Sequence, residues 1–253
     1  MKKRFLVIVA LIVCSLPSMG QVEDWSFGLS MGGAAPLGNY GKNDLEESKS
    51  GFADVGFFLD ASAYYEVNSS FSWVGRLRFT NNPTDEREVY NRVISNSYPE
   101  VQLAEDDSEV RFSVNDWLSG AILFGGQYRF DIYNTYLDFY GLVGAQVWVL
   151  PKHDLSTENV PNRLNTLYVE GIDKDQDVSF ASMVGAAYNI PIKESIMLRF
   201  NVDWIGSNVQ YSYSQNFISS VPSEEVVIEK VGEVNYSVFA SSLNFGIGLV
   251  YLF

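Results

Sequence analysis

The sequence predicts an all-β chain whose eight strands close into an antiparallel up-and-down barrel that crosses a membrane. Three observations predict it. Eight segments place apolar residues at every second position, the gaps between them alternate strictly between short and long, and the opposite face of each segment is small or polar. Alternation at period two is the signature of a strand with two unlike faces.

The chain begins Met1-Lys2-Lys3-Arg4, followed by the apolar run 5–14 and by Ser18-Met19-Gly20 before Gln21. That order of charged, apolar and small residues is the order of an export signal. Cleavage after Gly20 is expected, with residues 1–20 removed and a barrel domain over 21–253. Ten apolar residues fall short of the roughly 20 needed to span a bilayer as a helix. The only cysteine, Cys14, lies inside this leader, so the mature chain has no disulfide and no thiolate metal site. Val13 stands where a lipid-anchor signal carries a small residue, which argues against that use of Cys14.

The whole chain carries 17 basic and 31 acidic residues, a formal charge of −14, and loss of Lys2, Lys3 and Arg4 takes it to −17. Binding a polyphosphate requires a basic face that displaces its counterions, so nucleic acid is not expected as a partner. Beyond the leader no apolar run reaches helical spanning length. Entry into a membrane therefore requires a closed barrel, the other structure that satisfies every backbone polar group in lipid.

The first segment, Trp25 to Ala35, sets Trp25, Phe27, Leu29 and Met31 against Gly28, Ser30 and Gly32. The second, Val55 to Val67, sets Val55, Phe57, Leu59, Ala61, Ala63, Tyr65 and Val67 against Gly56, Asp60, Ser62 and Glu66. A tight turn at Asn68-Ser69 leads to Phe71 to Phe79. Leu118 to Phe130 and Leu137 to Val149 are joined across Asp131 to Thr135, and Val178 to Ile190 joins Ile196 to Trp204 across Pro191 to Glu194. The last segment opposes Leu243, Phe245, Ile247, Leu249, Tyr251 and Phe253 to Asn244, Gly246 and Gly248. Each is long enough to cross a bilayer at about 45° tilt, which takes roughly 9 to 11 residues.

The other four gaps, about 37–50, 80–111, 150–177 and 207–238, are long and rich in Asn, Asp, Glu, Ser and Pro. They hold 21 acids and 9 bases, most of the net negative charge. An outer-membrane barrel has short turns on the periplasmic side and longer loops outside, so these gaps are expected as acidic external loops. The competing soluble sandwich or lipocalin-like barrel would turn its apolar faces inward and show Lys and Glu to water. Here the opposite face carries Gly28, Ser30, Gly32, Gly56, Ser62, Gly125, Gly144 and Gly185, which suit a narrow interior. Aromatic residues gather toward strand ends, at Tyr65, Phe71, Trp73, Tyr128, Phe130, Tyr188, Tyr251 and Phe253 near the short turns and at Phe79 and Trp204 near the long gaps. Those are the positions of interfacial girdles.

Eight charged residues fall on the small and polar faces: Asp60, Glu66, Arg76, Arg78, Arg129, Asp138, Arg199 and Asp203. Four acids balance four bases. The interior of an eight-stranded barrel is just wide enough for side chains to fill, and an unpaired buried ion is strongly destabilising. The set is expected to form a structural plug, with a proton or ion path through the core as the sharper alternative.

Candidate chemistry is sparse. His153, the only histidine, sits in the third long gap without a serine elbow or oxyanion motif beside it, so it is read as solvated. Asp173-Lys174-Asp175-Gln176-Asp177 opens like a calcium loop, but Val178 and Val184 occupy the positions where that motif has Gly and Glu. The run Glu105-Asp106-Asp107-Ser108-Glu109 is the densest acidic stretch.

The terminal Gly248-Leu249-Val250-Tyr251-Leu252-Phe253 is similar to the insertion signal of the eight-stranded outer-membrane β-barrel proteins of diderm bacteria, of OmpA- and OmpX-type architecture. Gly32-Gly33-Ala34-Ala35-Pro36-Leu37-Gly38-Asn39-Tyr40 resembles the outer-membrane β-barrel domain common in Bacteroidota. The resemblance implies that barrel-assembly machinery reads the last strand through Gly248, Tyr251 and Phe253. The expectation is a non-enzymatic outer-membrane protein without cofactor or metal, with a filled core and no open pore. Its partners would be outer-membrane lipid, the assembly machinery during insertion, and an extracellular partner of the acidic loops. The alternatives are a lipid-modifying hydrolase acting at the rim through His153, and a narrow solute channel.

Overall fold

The computed structural model describes residues 24–42, 50–89, 109–151, 153–158, 165–172, 176–220 and 227–253. These contain strands β1 (Trp25–Leu37), β2 (Gly56–Asn68), β3 (Phe71–Asn82), β4 (Glu109–Val114), β5 (Trp117–Ile132), β6 (Thr135–Val149), β7 (His153–Glu158), β8 (Asn165–Ile172), β9 (Gln176–Lys193), β10 (Ile196–Ser220) and β11 (Val227–Leu252). Eight of them pair antiparallel in the cyclic order β1-β2-β3-β5-β6-β9-β10-β11. The ring closes where β11 returns to β1, with Ser26 opposite Leu252 and Leu37 opposite Ser241. The chain is a closed eight-stranded up-and-down barrel. Closure leaves no sheet edge within the barrel wall.

Successive strand side chains point to opposite faces, and in every barrel strand the apolar set looks outward. Leu29, Ile122 and Phe180 are 69%, 67% and 70% exposed. On β3, Trp73, Leu77 and Phe79 face out while Ser72, Arg76, Arg78 and Asn82 are buried. Aromatic pairs ring both ends of this band. Trp25–Tyr65, Tyr128–Phe130 and Tyr251–Phe253 lie 4.8 to 5.2 Å apart at the short-turn end, and Phe57–Phe79 and Trp204–Phe239 pair at 6.2 and 6.1 Å toward the other.

The second and third short turns are tighter than the sequence reading has them, and the first matches it in length. In the first, Asn68 Oδ1 accepts from the amides of Ser70 and Phe71 at 3.0 and 2.9 Å. In the second, Ile132 faces Thr135 directly, and Tyr133 takes a left-handed φ of 53° to make the reversal. Pro191, expected in the third turn, is instead within β9 opposite Met197, beside a register shift at Ile196.

The long gaps depart further from expectation, because much of what was read as loop is strand. In the gap 207–238, β10 and β11 continue as one hairpin out to Ser219 opposite Val227, with a bulge between Gln215 and Asn216. β8 adds to the other edge of β10, from Ile172 opposite Tyr213 to Asn165 opposite Ser220. β4 and β7 form a separate pair, so His153 begins a strand opposite Val114 and is not in a loop. The physical reason is that outside the apolar band neither face of a strand must be greasy. Alternation disappears there, while residues such as Tyr211, Tyr213, Ile228 and Val234 still favour extended backbone.

Candidate functional site

Eight charged side chains of the barrel strands lie on the inner face, and strand register assembles them. Asp60 is the cross-strand neighbour of Arg78, and Arg129 of Asp138. Arg199 lies opposite Asn189, and Asp203 opposite Asn244. Other contacts join residues on strands that are not neighbours, such as Arg78 with Asp203, Arg129 with Glu66 and Arg199 with Gln127.

Two clusters result. In the one nearer the long gaps, Arg78 lies between two carboxylates. It donates to Asp60 through Nε and Nη2, both at 2.7 Å, and to Asp203 through Nη1 and Nη2 at 2.6 and 3.0 Å. Arg76 Nη1 stands 3.8 Å from Asp60 and 3.7 Å from Asp203, and its Nε donates to Ser62 Oγ. In the cluster nearer the short turns, Arg129 donates to Asp138 and Glu66 at 3.2 Å each, and Arg199 donates to Asp138 at 3.1 Å. Asn189 donates to Asp138 at 2.7 Å, and Arg199 also donates to Gln127 Oε1. Tyr140 links the two, with Arg76 4.5 Å and Arg199 5.7 Å from its ring centre and its hydroxyl donating to Asp203 at 3.0 Å.

Each cluster holds two carboxylates and two guanidiniums, so each is formally neutral. Forked, charge-assisted hydrogen bonds of this kind offset the loss of hydration that burial imposes. Asp138 and Asp203 are 0% and 1% exposed, whereas Glu66 and Arg129 are half-buried at the short-turn end. All eight charged residues singled out in the sequence belong to this lattice.

Sequence reading missed the neutral members. Tyr140, Gln127, Asn189 and Asn244 hold the ions in place, and Tyr64, Val74, Leu123, Leu142, Met183 and Met197 fill the volume between them. Parity was the available signal, since Tyr140 and Leu142 follow Asp138 at two-residue steps. The sequence reading has the inner face as small or polar; large apolar side chains share it, because close packing requires bulk as well as charge. The small residues make room for the large: a Cβ on Gly185 would lie 2.7 Å from the Tyr140 hydroxyl, and one on Gly246 2.6 Å from the Phe58 ring.

Above the lattice the mouth is stopped. After β1 a short 3-10 turn, Gly38–Gly41, carries Tyr40 into the barrel. Its ring meets Trp117 and Trp148 near-perpendicularly at 5.3 and 5.7 Å, and those two meet each other at 6.0 Å. The Tyr40 hydroxyl donates to Asn82 Oδ1 at 3.2 Å, the Trp117 indole to the Gly51 carbonyl and the Trp148 indole to Ser207 Oγ, both at 2.9 Å. Burial pushes the Tyr40 phenol above its ordinary pKa, so it keeps the proton that this bond needs.

The other residues noted in the sequence fall elsewhere. Asp177 is buried and accepts from the Gln210 amide at 2.9 Å. Glu109 pairs in register with Glu158 on β7. The leader, Asp173 to Asp175 and 105–108 lie outside the described residues. Gly248 is opposite Ser30 and Arg199, and Tyr251 and Phe253 are exposed on the outer face. Among the described residues no group of three or more His, Cys, Asp or Glu side chains is placed to hold a metal, and no helix is long and apolar enough to cross a membrane.

Solved structures similar to this chain are outer-membrane proteins. It is similar to Ail, the attachment invasion locus protein of Yersinia pestis, at 11% identity, covering 91% of this chain and 100% of that one with a TM-score of 0.42. It is similar to neisserial surface protein A at 9% identity, covering 90% and 96% with a TM-score of 0.43. A major outer membrane protein from Thermus thermophilus is similar at 11% identity, covering 90% and 98% with a TM-score of 0.45. No family model matches the sequence, and no curated protein matches it.

Proposed function

We propose that the protein is an outer-membrane barrel with a structural or interaction role, a plugged anchor that holds an acidic β-platform outside the cell. The outward-facing apolar wall is the observation that carries this reading. Contiguous apolar surface on that scale is not stable in water, and its two aromatic borders match the interfaces of a bilayer. The start of β1 and the end of β11 lie with the short turns, and on this reading the long segments face the extracellular side, as in outer-membrane barrels. Export through residues 1–20 and insertion by barrel-assembly machinery acting on Gly248, Tyr251 and Phe253 belong to the same reading, as does a partner met by the acidic outer segments through charge complementarity. No catalytic step is assigned to His153.

The test is reconstitution. Purified protein in a planar bilayer is expected to give no large, steady conductance, and detergent-extracted protein is expected to migrate faster on a gel before heating than after. A stable water-filled pore would overturn the plugged anchor. A detergent-free, water-soluble monomer would overturn the membrane assignment.

A further inference from the structure

Between the aromatic stopper and the charge lattice lies a small polar cavity. It leaves about 10 Å³ for the centre of a water-sized sphere, roughly the space one water needs. Its walls include Tyr40, Thr80, Asn82, Ser119, Gln146 and Ser242. Gln146 is only 3% exposed. Its Nε2 donates to Ser119 Oγ at 2.9 Å, but its Oε1 is buried with no hydrogen-bond partner among the described residues.

Several donors in the wall are committed elsewhere. Asn82 Nδ2 donates to the carbonyls of Ala34 and Asp54 at 3.0 and 2.9 Å. The Tyr40 hydroxyl serves Asn82 Oδ1, and the Ser242 hydroxyl serves Asn244 Oδ1 at 3.1 Å. A buried amide oxygen left without a donor is destabilising, and such groups in folded proteins are met by protein or by ordered water. The unmet group here is an acceptor beside a cavity of single-water size, and hydroxyl oxygens in the same wall have lone pairs to spare.

We propose that this cavity binds one water molecule, which donates to Gln146 Oε1 and to a second wall oxygen. The water then sits between the stopper and the charge lattice. A metal cation is the poorer occupant, because among the described residues no carboxylate lines the cavity and a bare ion there would lose hydration without gaining a counter-charge.

The test is a crystal structure of the full chain in detergent, at a resolution that shows ordered water, from crystals grown in caesium chloride. One fully occupied water within hydrogen-bond distance of Gln146 Oε1 is expected, with no caesium signal at that position. An empty cavity or a caesium peak there would overturn the proposal. Gln146→Met keeps the side-chain length and removes the acceptor, and it is expected to lose the water; a water that stayed would show that Gln146 does not hold it. A measurement on the parent protein alone is independent of the variant's folding. In lipid nanodiscs the Gln146 side-chain amide is expected to show a cross-peak to a long-lived water, and its absence would count against the site.

Discussion

Asp203 shows how one side chain organises half the lumen. It receives both terminal nitrogens of Arg78, the Tyr140 hydroxyl, and the amides of Asn201 and Asn244. Asp203→Ala would leave Arg78 with Asp60 alone and strand a buried positive charge. Removing one partner of such a pair costs about 3–5 kcal/mol, so a clear fall is expected in the urea midpoint of the barrel in lipid or in the temperature at which its compact gel form disappears. A midpoint equal to the parent's would remove the lattice from any account of stability. At this scale the sequence was half legible. Period two put Asp203 and Arg78 on the inner face, but they are 125 residues apart and nothing in a single strand says which charges meet across the lumen. That is set by register and by the stagger of the strands, which a reading of faces does not contain.

The barrel strands were the most legible elements, because a wall with lipid on one side and a narrow core on the other imposes alternation along its whole height. Val143 on β6 tests that wall. It is exposed, and its cross-strand neighbours are Phe124 and Ser182 midway between the aromatic borders. Val143→Arg is expected to destabilise by about 2–4 kcal/mol, the cost of a basic residue at the bilayer midplane, while Val143→Leu should be silent. Denaturant titration in lipid vesicles measures both, and equal values would mean that this face does not meet hydrocarbon. The outer halves of β10 and β11, with β4, β7 and β8, went unread because their sequences do not alternate between apolar and polar residues. Their aromatic and β-branched content was the remaining cue, and composition alone does not place strand ends.

At the scale of the whole molecule, the filled barrel and the outward sheet are separable. The stopper and both ionic clusters use strand positions no farther out than Val209 on β10, whereas the hairpin runs on to Ser219. Replacing 211–236 by an Asn-Gly turn, which suits a two-residue hairpin, is therefore expected to leave a folded barrel. Retained heat-dependent gel mobility would verify this, and its loss would show that the platform helps hold the cylinder shut.

The seam between β1 and β11 joins the first and last strands of the wall, and it has a consequence for biogenesis. Until that seam zips, the arginines on β3 and the aspartate on β10 belong to opposite margins of a curling sheet. A flat intermediate pushed into hydrocarbon would leave Asp203 without its arginines and two arginines sharing Asp60, at about 2.5–3.5 kcal/mol for each unmatched ion even on the most lenient insertion scale. Cylinder closure and lipid entry would then be coupled, since zipping the seam is what brings Asp203 to its arginines.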